Sequence, residues 1–375
     1  MSSDADPALG TSSGLGPNPG LDADVVVLGA SFAGIEVLYQ LQRRASSPPP
    51  RVIVVDRERR HGYLPLVQER LLGTIDARSS TLESAAWIDS VEGARFVQGE
   101  IVGLDVARGE VTLEGGTTVR GRVIVVALGS VLEPPPALPG AARMIGYKSG
   151  AQFEQARAAV QDLLEGDAEE RRIVVVGGGI SGVELAGELA ALRTATPPRF
   201  RHAPEVTLIG VEPALVPILG EKVGARAHAI LVAQGVDVRT GTRLEATHEG
   251  GVSVREHRPG GDESLEIAAG LVMWAGGVRP SPVLTELGLP RTEDGWLAVG
   301  PTLQCYPTDP ARAGVFACGD AVRIIGGTGR WPTMQRAIEC IWQAKVVAKN
   351  VLALLAPRSA DAPEPPPLHP HRLRK

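Results

Sequence analysis

Two short stretches of this 375-residue chain carry the residue types that can hold a diphosphate. In "VVVLGASFAGIE", Gly29, Ser31 and Gly34 fill the three small-residue positions of G-x-G-x-x-G, with Ala30, Phe32 and Ala33 between them. In "VVVGGGISGVE", Gly177, Gly179 and Gly182 fill all three with glycine, around Gly178, Ile180 and Ser181. The first small residue allows a tight turn, the second lets a pyrophosphate approach the backbone, and the third lets the helix pack closely on its strand. A helix starting there points free N–H groups and a partial positive charge at the phosphates. Ser31 in place of glycine adds a hydroxyl at that point. One such turn can also arise for packing alone. Two copies in the same strand–turn–helix setting point to dinucleotides.

An acid beyond each turn would complete the pattern. Asp56 ends the next strand, "RVIVVD", 27 residues past Gly29, where a carboxylate can hold a ribose diol. A helix cap or exposed turn is the alternative role. In the second copy, "VTLIGVEP" sets Gly210 at that point and Glu212 two residues later. No Arg or Lys follows closely to receive a 2′-phosphate, which favours NADH and leaves NADPH open.

The elements that position these turns repeat once, at an offset of 148 residues. That is too long for a solenoid repeat and suits two similar domains. "DVVVLG", the helix "GIEVLYQLQRR" and "RVIVVD" make one strand–helix–strand unit of the length a parallel crossover needs. "RFVQGEIVGLDV" and "EVTLEGGTTV" read as a small antiparallel insertion before the buried return "RVIVVALGS". "RRIVVVGGG", "GVELAGELAALR" and "EVTLIG" repeat the unit, closing with "GLVMWAGG". "GVFACGDAV" then supplies a short buried strand before a final helix, "TMQRAIECIWQAKVVAKNVLALL".

Composition narrows the class further. A hydrophobic share of 43% and a charged share of 22% fit a soluble globular chain. The net charge of −5 argues against nucleic acid as a partner. The three cysteines have no spacing for a metal site or a CxxC pair, and their sparse, odd number fits a reducing compartment. Gly, Pro and Ser make up eleven of the first twenty residues, so residues 1–21 read as a disordered tail without signal-peptide character. The end "PRSADAPEPPPLHPHRLRK" holds six prolines and reads as extended and unpacked. No apolar run reaches the ~18 residues that span a bilayer. The expected location is cytoplasmic, with at most weak peripheral contact at the inner face of the membrane through the basic end.

Taken together, the two turns and three further stretches resemble the two-dinucleotide-binding-domain flavoproteins of the pyridine nucleotide-disulphide oxidoreductase superfamily. "VVALGS" (Ala127, Leu128, Gly129) and "WAGGVRP" (Ala275, Gly276, Gly277) stand at that superfamily's crossings beside the cofactors, and "VFACGDAV" resembles its Gly–Asp motif. "HGYLPLVQERLLGT" is similar to a type II NADH dehydrogenase motif at His61, Tyr63, Pro65, Leu66 and Gly73. "GGGISGVELAGELA" and "WPTMQRA" resemble further motifs of that branch, and "VVAKNV" its helix end. Two departures stand out: about three extra residues between Ala337 and Gln343, and a proline-rich end where the branch has membrane-gripping amphipathic helices.

The resemblance implies an α/β fold of two Rossmann-like FAD/NAD(P)-binding domains, three-layer with a parallel central sheet plus a small antiparallel sheet, one domain inserted in the other. Residues 22–145 and 278–352 would form the FAD domain, 146–277 the NAD(P)H domain, and 353–375 a proline-rich tail. FAD would lie on residues 29–34, Asp56, Arg57, Pro65, Leu66, Ile101, 127–129, Gly319, Asp320, Gln335 and Arg336, with Asp320 on the ribityl chain. NADH would lie on residues 177–182, Glu184, Glu212 and 275–277. No metal is implied.

Hydride would pass from NADH to flavin and onward to a quinone. Glu184 would orient the nicotinamide or relay a proton; a helix acid favoured by the macrodipole is its alternative. Its counterpart Glu36 reads as such an acid. Gln335 and Arg336 would stabilise reduced flavin from the last helix's start, an ordinary surface start being the alternative. Lys148 matches a family lysine near the domain junction, or is a solvated linker charge. His61 and Tyr63 would shape the loop over the flavin. Disulfide and sulfide:quinone reductases need cysteines earlier than Cys305, so Cys305, Cys318 and Cys340 read as core residues. Two rivals remain: a reductase of a small redox protein such as rubredoxin or ferredoxin, and a non-catalytic NADH-responsive flavoprotein of the apoptosis-inducing-factor type. A homodimer stays open.

Overall fold

A computed structural model describes residues 21–45, 47–76, 78–195, 198–326, 335–357 and 367–372. β1 (Leu21–Leu28), α1 (Phe32–Arg44) and β2 (Val52–Asp56) form the first parallel unit, with Val25 opposite Val52. The short β3 (His61–Gly62) and β4 (Thr81–Leu82) bracket α2 (Val67–Leu71), and α3 (Ser84–Asp89) leads to β5 (Ala94–Gln98). β6 (Ile101–Asp105) and β7 (Glu110–Leu113) form a hairpin, and β8 (Thr118–Val126) returns beside β1. β1 begins at Leu21, one residue inside the stretch expected to be disordered, because Leu21 still pairs with Val119. β5 also departs from expectation. It pairs in parallel with β2 and is not part of the antiparallel insertion, since Phe96 faces the core and Gly99 N–H reaches Asp56 O.

β9 (Ser130–Val131) leads out of this unit to α4 (Gly150–Glu165), which Ser149 and Gln152 start with a capping box. The second parallel unit is β10 (Arg172–Val176), α5 (Ile180–Ala191), β11 (Glu205–Ile209), α6 (Glu221–Ala233) and β12 (Asp237–Arg239). An antiparallel sheet of β13 (Thr242–His248), β14 (Gly251–Glu256) and β15 (Glu263–Ala268) follows, and β16 (Leu271–Trp274) returns beside β10. β17 (Arg279–Pro280) pairs with β9, so the chain leaves this unit beside the point where it entered. α7 (Val283–Glu286), β18 (Leu297–Val299), β19 (Val315–Ala317), β20 (Val322–Ile324) and α8 (Ala337–Leu355) complete the order.

β8 joins the early and late parts of the chain. Its first half pairs with β7 and its second half, at Ile124–Val126, pairs in parallel with β19. The first sheet thus runs β5-β2-β1-β8-β7-β6 with β19 beside β8, and the second runs β12-β11-β10-β16. Val25–Leu28 in the first sheet and Ile173–Val175 in the second are fully buried, as strands covered on both faces by helices must be. The fold is α/β, with Rossmann-like parallel sheets and small antiparallel ones.

Each sheet has its own core, and α2 crosses between them. Val67, Leu71 and Leu72 pack into the core of the second sheet although their neighbours in sequence belong to the first. The C-terminal end departs most from expectation. α8 ends at Leu355, where the final helix was expected to end, but within residues 367–372 Leu368 and His371 are packed although this end was expected to be free. Leu368 lies against the first core and His371 is buried, because Asn350 and Glu339 on α8 supply polar partners for a segment whose prolines leave few backbone donors.

Candidate functional site

The two glycine turns share one geometry. Gly29 has φ of +108° and Gly177 φ of +128°, values that L side chains rarely adopt. A methyl group on Gly29 would run into the carbonyl of Ala127, and one on Gly177 into that of Ala275. The third glycines, Gly34 and Gly182, press against the carbonyl oxygens of Gly29 and Gly177. The returning strand therefore sits so close over each turn that only glycine fits beneath it. No side chain caps α1 or α5, which leaves their first-turn N–H groups to a ligand. Ala30 is buried, and Ser31 is the residue before α1 with Phe32, Ala33 and Gly34 in its first turn. Gly178 backs onto Gly210, Gly179 is exposed before Ile180, and Ser181 O accepts from Gln68 and Tyr147 at the long end of hydrogen-bond range.

Asp56 stands at the end of β2 with its carboxylate fixed on three sides. Oδ2 accepts from Ala30 N–H at 2.7 Å, Oδ1 accepts from Glu58 N–H at 2.8 Å, and His61 Nε2 lies 3.1 Å from Oδ2. Burial pushes this carboxyl up, but His61 and the two amides outweigh it and hold it below the usual range. Asp56 therefore stays ionised with lone pairs to spare for a ribose diol. His61 was expected only to shape a loop; here it also holds Asp56. Tyr63 tilts over Phe32, with ring centroids 5.5 Å apart. Arg57 lies exposed near Glu100, and Ile101 is buried in the core opposite Leu113.

Asp320 sits in the turn after β19, where Lys148 Nζ approaches Oδ2 at 2.7 Å and Ser130 Oγ at 2.5 Å. Ser130 donates to the same Oδ2 at 3.1 Å. Lys148 is thus an internal ion pair, not a solvated linker charge, and it ties the start of α4 to the Gly319–Asp320 turn and to Gly129 beside Ser130. Both side chains are more than four-fifths buried. Lys148→Met is expected to cost about 1–3 kcal/mol, between an exposed pair and a fully buried one. A fall of several degrees in the thermal midpoint of the purified variant checks this; an unchanged midpoint contradicts it.

Glu184 lies in the second turn of α5, not the first, since α5 begins at Ile180. A macrodipole role is correspondingly weaker there. Its Oε2 accepts from Gln68 Nε2 at 3.2 Å, and Gln68 also reaches Ser181 O at 3.5 Å. Tyr147 Oη donates to Ser181 O at 3.4 Å. Glu184 keeps a solvent-exposed edge, yet desolvation of its carboxyl against the neighbouring helix, with the charge of Glu69, pushes it above the usual range. Pro65 and Leu66 precede α2, so the contact to Gln68 brings the second turn's helix against that segment. The pairing leaves Oε1 of Glu184 available to hold a proton.

Gln335 and Arg336 precede α8, with Arg336 as its N-cap residue. With its amide oriented to accept, Gln335 bonds Arg323 Nη2 at 3.0 Å, and the Arg323 guanidinium stacks on Trp296. Trp331–Met334 of the sequence motif lie outside the described residues. Ala127 N–H donates to Leu28 O, and Leu128 and Gly129 (φ +66°) carry the chain past the first turn. Ala275, Gly276 and Gly277 do the same past the second, with Trp274 Nε1 donating to Gly277 O at 3.0 Å. Glu212 is exposed beyond β11, and its carbonyl accepts from Gly241 N–H.

Cys305, Cys318 and Cys340 are free and buried, and burial pushes the first two thiols up to about 12. Among the described residues no group of three His, Cys, Asp or Glu side chains is placed to hold a metal ion. Nor is any helix there long and apolar enough to cross a membrane.

Sequence reasoning missed Gln68, Ser130, Tyr147 and Gln343. Nothing in the sequence marks the first three, whose partners lie 18 to 190 residues away. Gln343 could have been found: Glu339, Gln343 and Asn350 make a polar stripe at helical spacing along an otherwise apolar face of α8.

The pyridine nucleotide-disulphide oxidoreductase family model matches residues 23–344. The demethylphylloquinone reductase of Synechocystis is 26% identical over 334 residues, covering 85% of this chain and 78% of its own. The type II NADH:quinone oxidoreductase of Staphylococcus saprophyticus is 24% identical over 341 residues, covering 88% and 82%. The fold resembles that of NDH2 from Plasmodium falciparum, solved with NADH, at a TM-score of 0.76 and 12% identity, over 95% of this chain and 87% of that one. The chain, with its paired glycine turns, belongs to the pyridine nucleotide-disulphide oxidoreductase family.

Proposed function

We propose that this protein is an FAD-dependent NADH:quinone-type oxidoreductase, with FAD on the first glycine turn and NADH on the second. The observation that carries the reading is the repeated cradle: Gly29 and Gly177 each lie beneath a returning carbonyl that excludes any side chain. Uncapped helix starts and the ionised Asp56 fit a dinucleotide on the first turn. The two relatives, both named as quinone reductases, support the choice of acceptor. Residues 210–216 contain no Lys or Arg and include Glu212, which favours NADH over its 2′-phosphorylated form.

The chemistry supplied by bound FAD is acceptance of a hydride and onward delivery of two electrons. The protein's own part is positional and electrostatic. The glycine turns would fix the two diphosphates, Asp56 would hold the adenosine ribose, and Asp320, set by Lys148 and Ser130, would hold the ribityl chain. Glu184 holds a proton on Oε1, while Gln68 fixes Oε2, and can give that proton up as the acceptor is reduced. NADH and one proton thereby reduce a quinone to its quinol and leave NAD⁺.

The test is stopped-flow reduction of the flavin-loaded protein. NADH is expected to bleach the flavin faster than NADPH, and soluble quinones to reoxidise it faster than a rubredoxin or ferredoxin. A chain that stays colourless after reconstitution with FAD overturns the proposal.

A further inference from the structure

Residues 367–372 are joined to the Gly319–Asp320 turn by a continuous buried chain of hydrogen bonds. His371 Nε2 lies 2.6 Å from Glu339 Oε1, with the two side chains 1% and 3% exposed. Gln343 Nε2 reaches the same Glu339 oxygen at 3.3 Å, and Gln343 Oε1 accepts from Gly319 N–H at 2.7 Å. The segment is held elsewhere too: His371 N–H donates to Pro301 O at 2.7 Å, and Asn350 both accepts from His369 N–H and donates to its carbonyl.

We propose that His371 is a positioning residue for the Gly319–Asp320 turn, acting through Glu339 and Gln343. That the turn serves flavin rests on the function proposed above; the chain of contacts does not. Glu339 Oε1 already accepts from Gln343 Nε2–H, so with Nε2 carrying the hydrogen His371 donates to the same oxygen. With Glu339 fixed as an acceptor, the Gln343 amide has one favourable orientation, its nitrogen toward Glu339 and its oxygen toward Gly319. Without His371, Glu339 becomes a buried carboxylate with one long hydrogen bond, a state that costs free energy and drives it to turn away. The Gln343 amide is then free to reverse, and Gly319 N–H loses its acceptor.

Gly319 has little room to move without consequence. It has φ of +79°, and a methyl group placed on it would meet Ala33 in the first turn of α1 and Cys340. A shift at Gly319 is therefore felt at the first glycine turn and at Asp320 together. The C-terminal segment acts on the site without touching it.

Amide hydrogen exchange on the 375-residue chain, before and after addition of FAD, tests this. In His371→Ala, Gly319 N–H in the flavin-free chain is expected to exchange about tenfold faster, the worth of one hydrogen bond to a buried group. The β1 amides of Val25–Leu28 should keep their wild-type rates. His371→Gln, whose amide can also donate to Glu339, should restore most of the protection, and millimolar imidazole should partly restore it in His371→Ala. FAD should bind about tenfold more weakly to His371→Ala, in step with the lost hydrogen bond. An unchanged Gly319 rate overturns the proposal. So does a rise shared equally by β1, which would mean general loosening. If Gly319 loosens while FAD affinity holds, the positioning chain stands and the flavin role of its turn falls.

Discussion

Gly177→Ala is expected to raise the NADH concentration needed to bleach the flavin by at least ~100-fold while the protein keeps its flavin, and Gly29→Ala to yield protein that does not retain flavin. The two positions are equivalent in geometry and, on the function proposed, serve different ligands, so one substitution made twice should give two different losses. At Gly177 an alanine must adopt φ near +128° and set its methyl into the carbonyl of Ala275. The backbone strain alone costs about 1–3 kcal/mol. The collision adds to it, because β16 cannot retreat without breaking its pairing with β10. With both terms, binding should weaken by at least ~100-fold, which corresponds to about 2.8 kcal/mol. Titration of flavin bleaching with NADH measures the first variant, and the flavin absorbance of the purified protein measures the second. Circular dichroism confirms that both remain folded. Unchanged NADH titration in Gly177→Ala, or full flavin retention in Gly29→Ala, would remove the basis for assigning one dinucleotide to each turn.

Glu184→Gln should lower turnover by roughly 10²-fold, the usual worth of a positioned proton donor. It should also remove one limb of the pH profile. Desolvation and Glu69 raise the Glu184 carboxyl, so it keeps its proton to a higher pH than an ordinary glutamate. The protonated form is the active one, so the wild-type rate is flat at low pH and falls as pH rises through that raised value. Glu69→Gln removes the like charge and lowers the Glu184 value, moving the falling limb to lower pH. Turnover against soluble quinone at saturating NADH, measured across pH for the three proteins, decides the matter. A Glu184→Gln enzyme that keeps both its rate and its falling limb would show that the proton comes from elsewhere.

Glu184 and its partner Gln68 differ in what the sequence alone reveals. Glu184 was legible, because it follows a glycine turn on a helix that the apolar pattern marks out. Gln68 was not, although it lies in a stretch that the sequence flags for other residues. Its importance comes from α2, whose Val67, Leu71 and Leu72 pack into the second core. No local pattern says which of two cores a five-residue helix will join. Lys148 poses the same difficulty: its sequence neighbourhood allows a solvated charge, and only the approach of the turn after β19 makes it an ion pair with Asp320.

By itself the sequence determined the two parallel units, the glycine turns and Asp56, because these depend on local rules. Strand periodicity, the steric freedom of glycine and the spacing from turn to acid all act within some thirty residues. The tertiary structure alone decided which partners meet across long separations. It put His61 on Asp56, Gln68 on Glu184, Lys148 on Asp320, and a proline-rich end expected to be loose onto α8 through His371 and Glu339. These contacts arise because buried polar groups must find partners wherever packing brings one within reach, and that choice is made only when the two sheets and α8 close together.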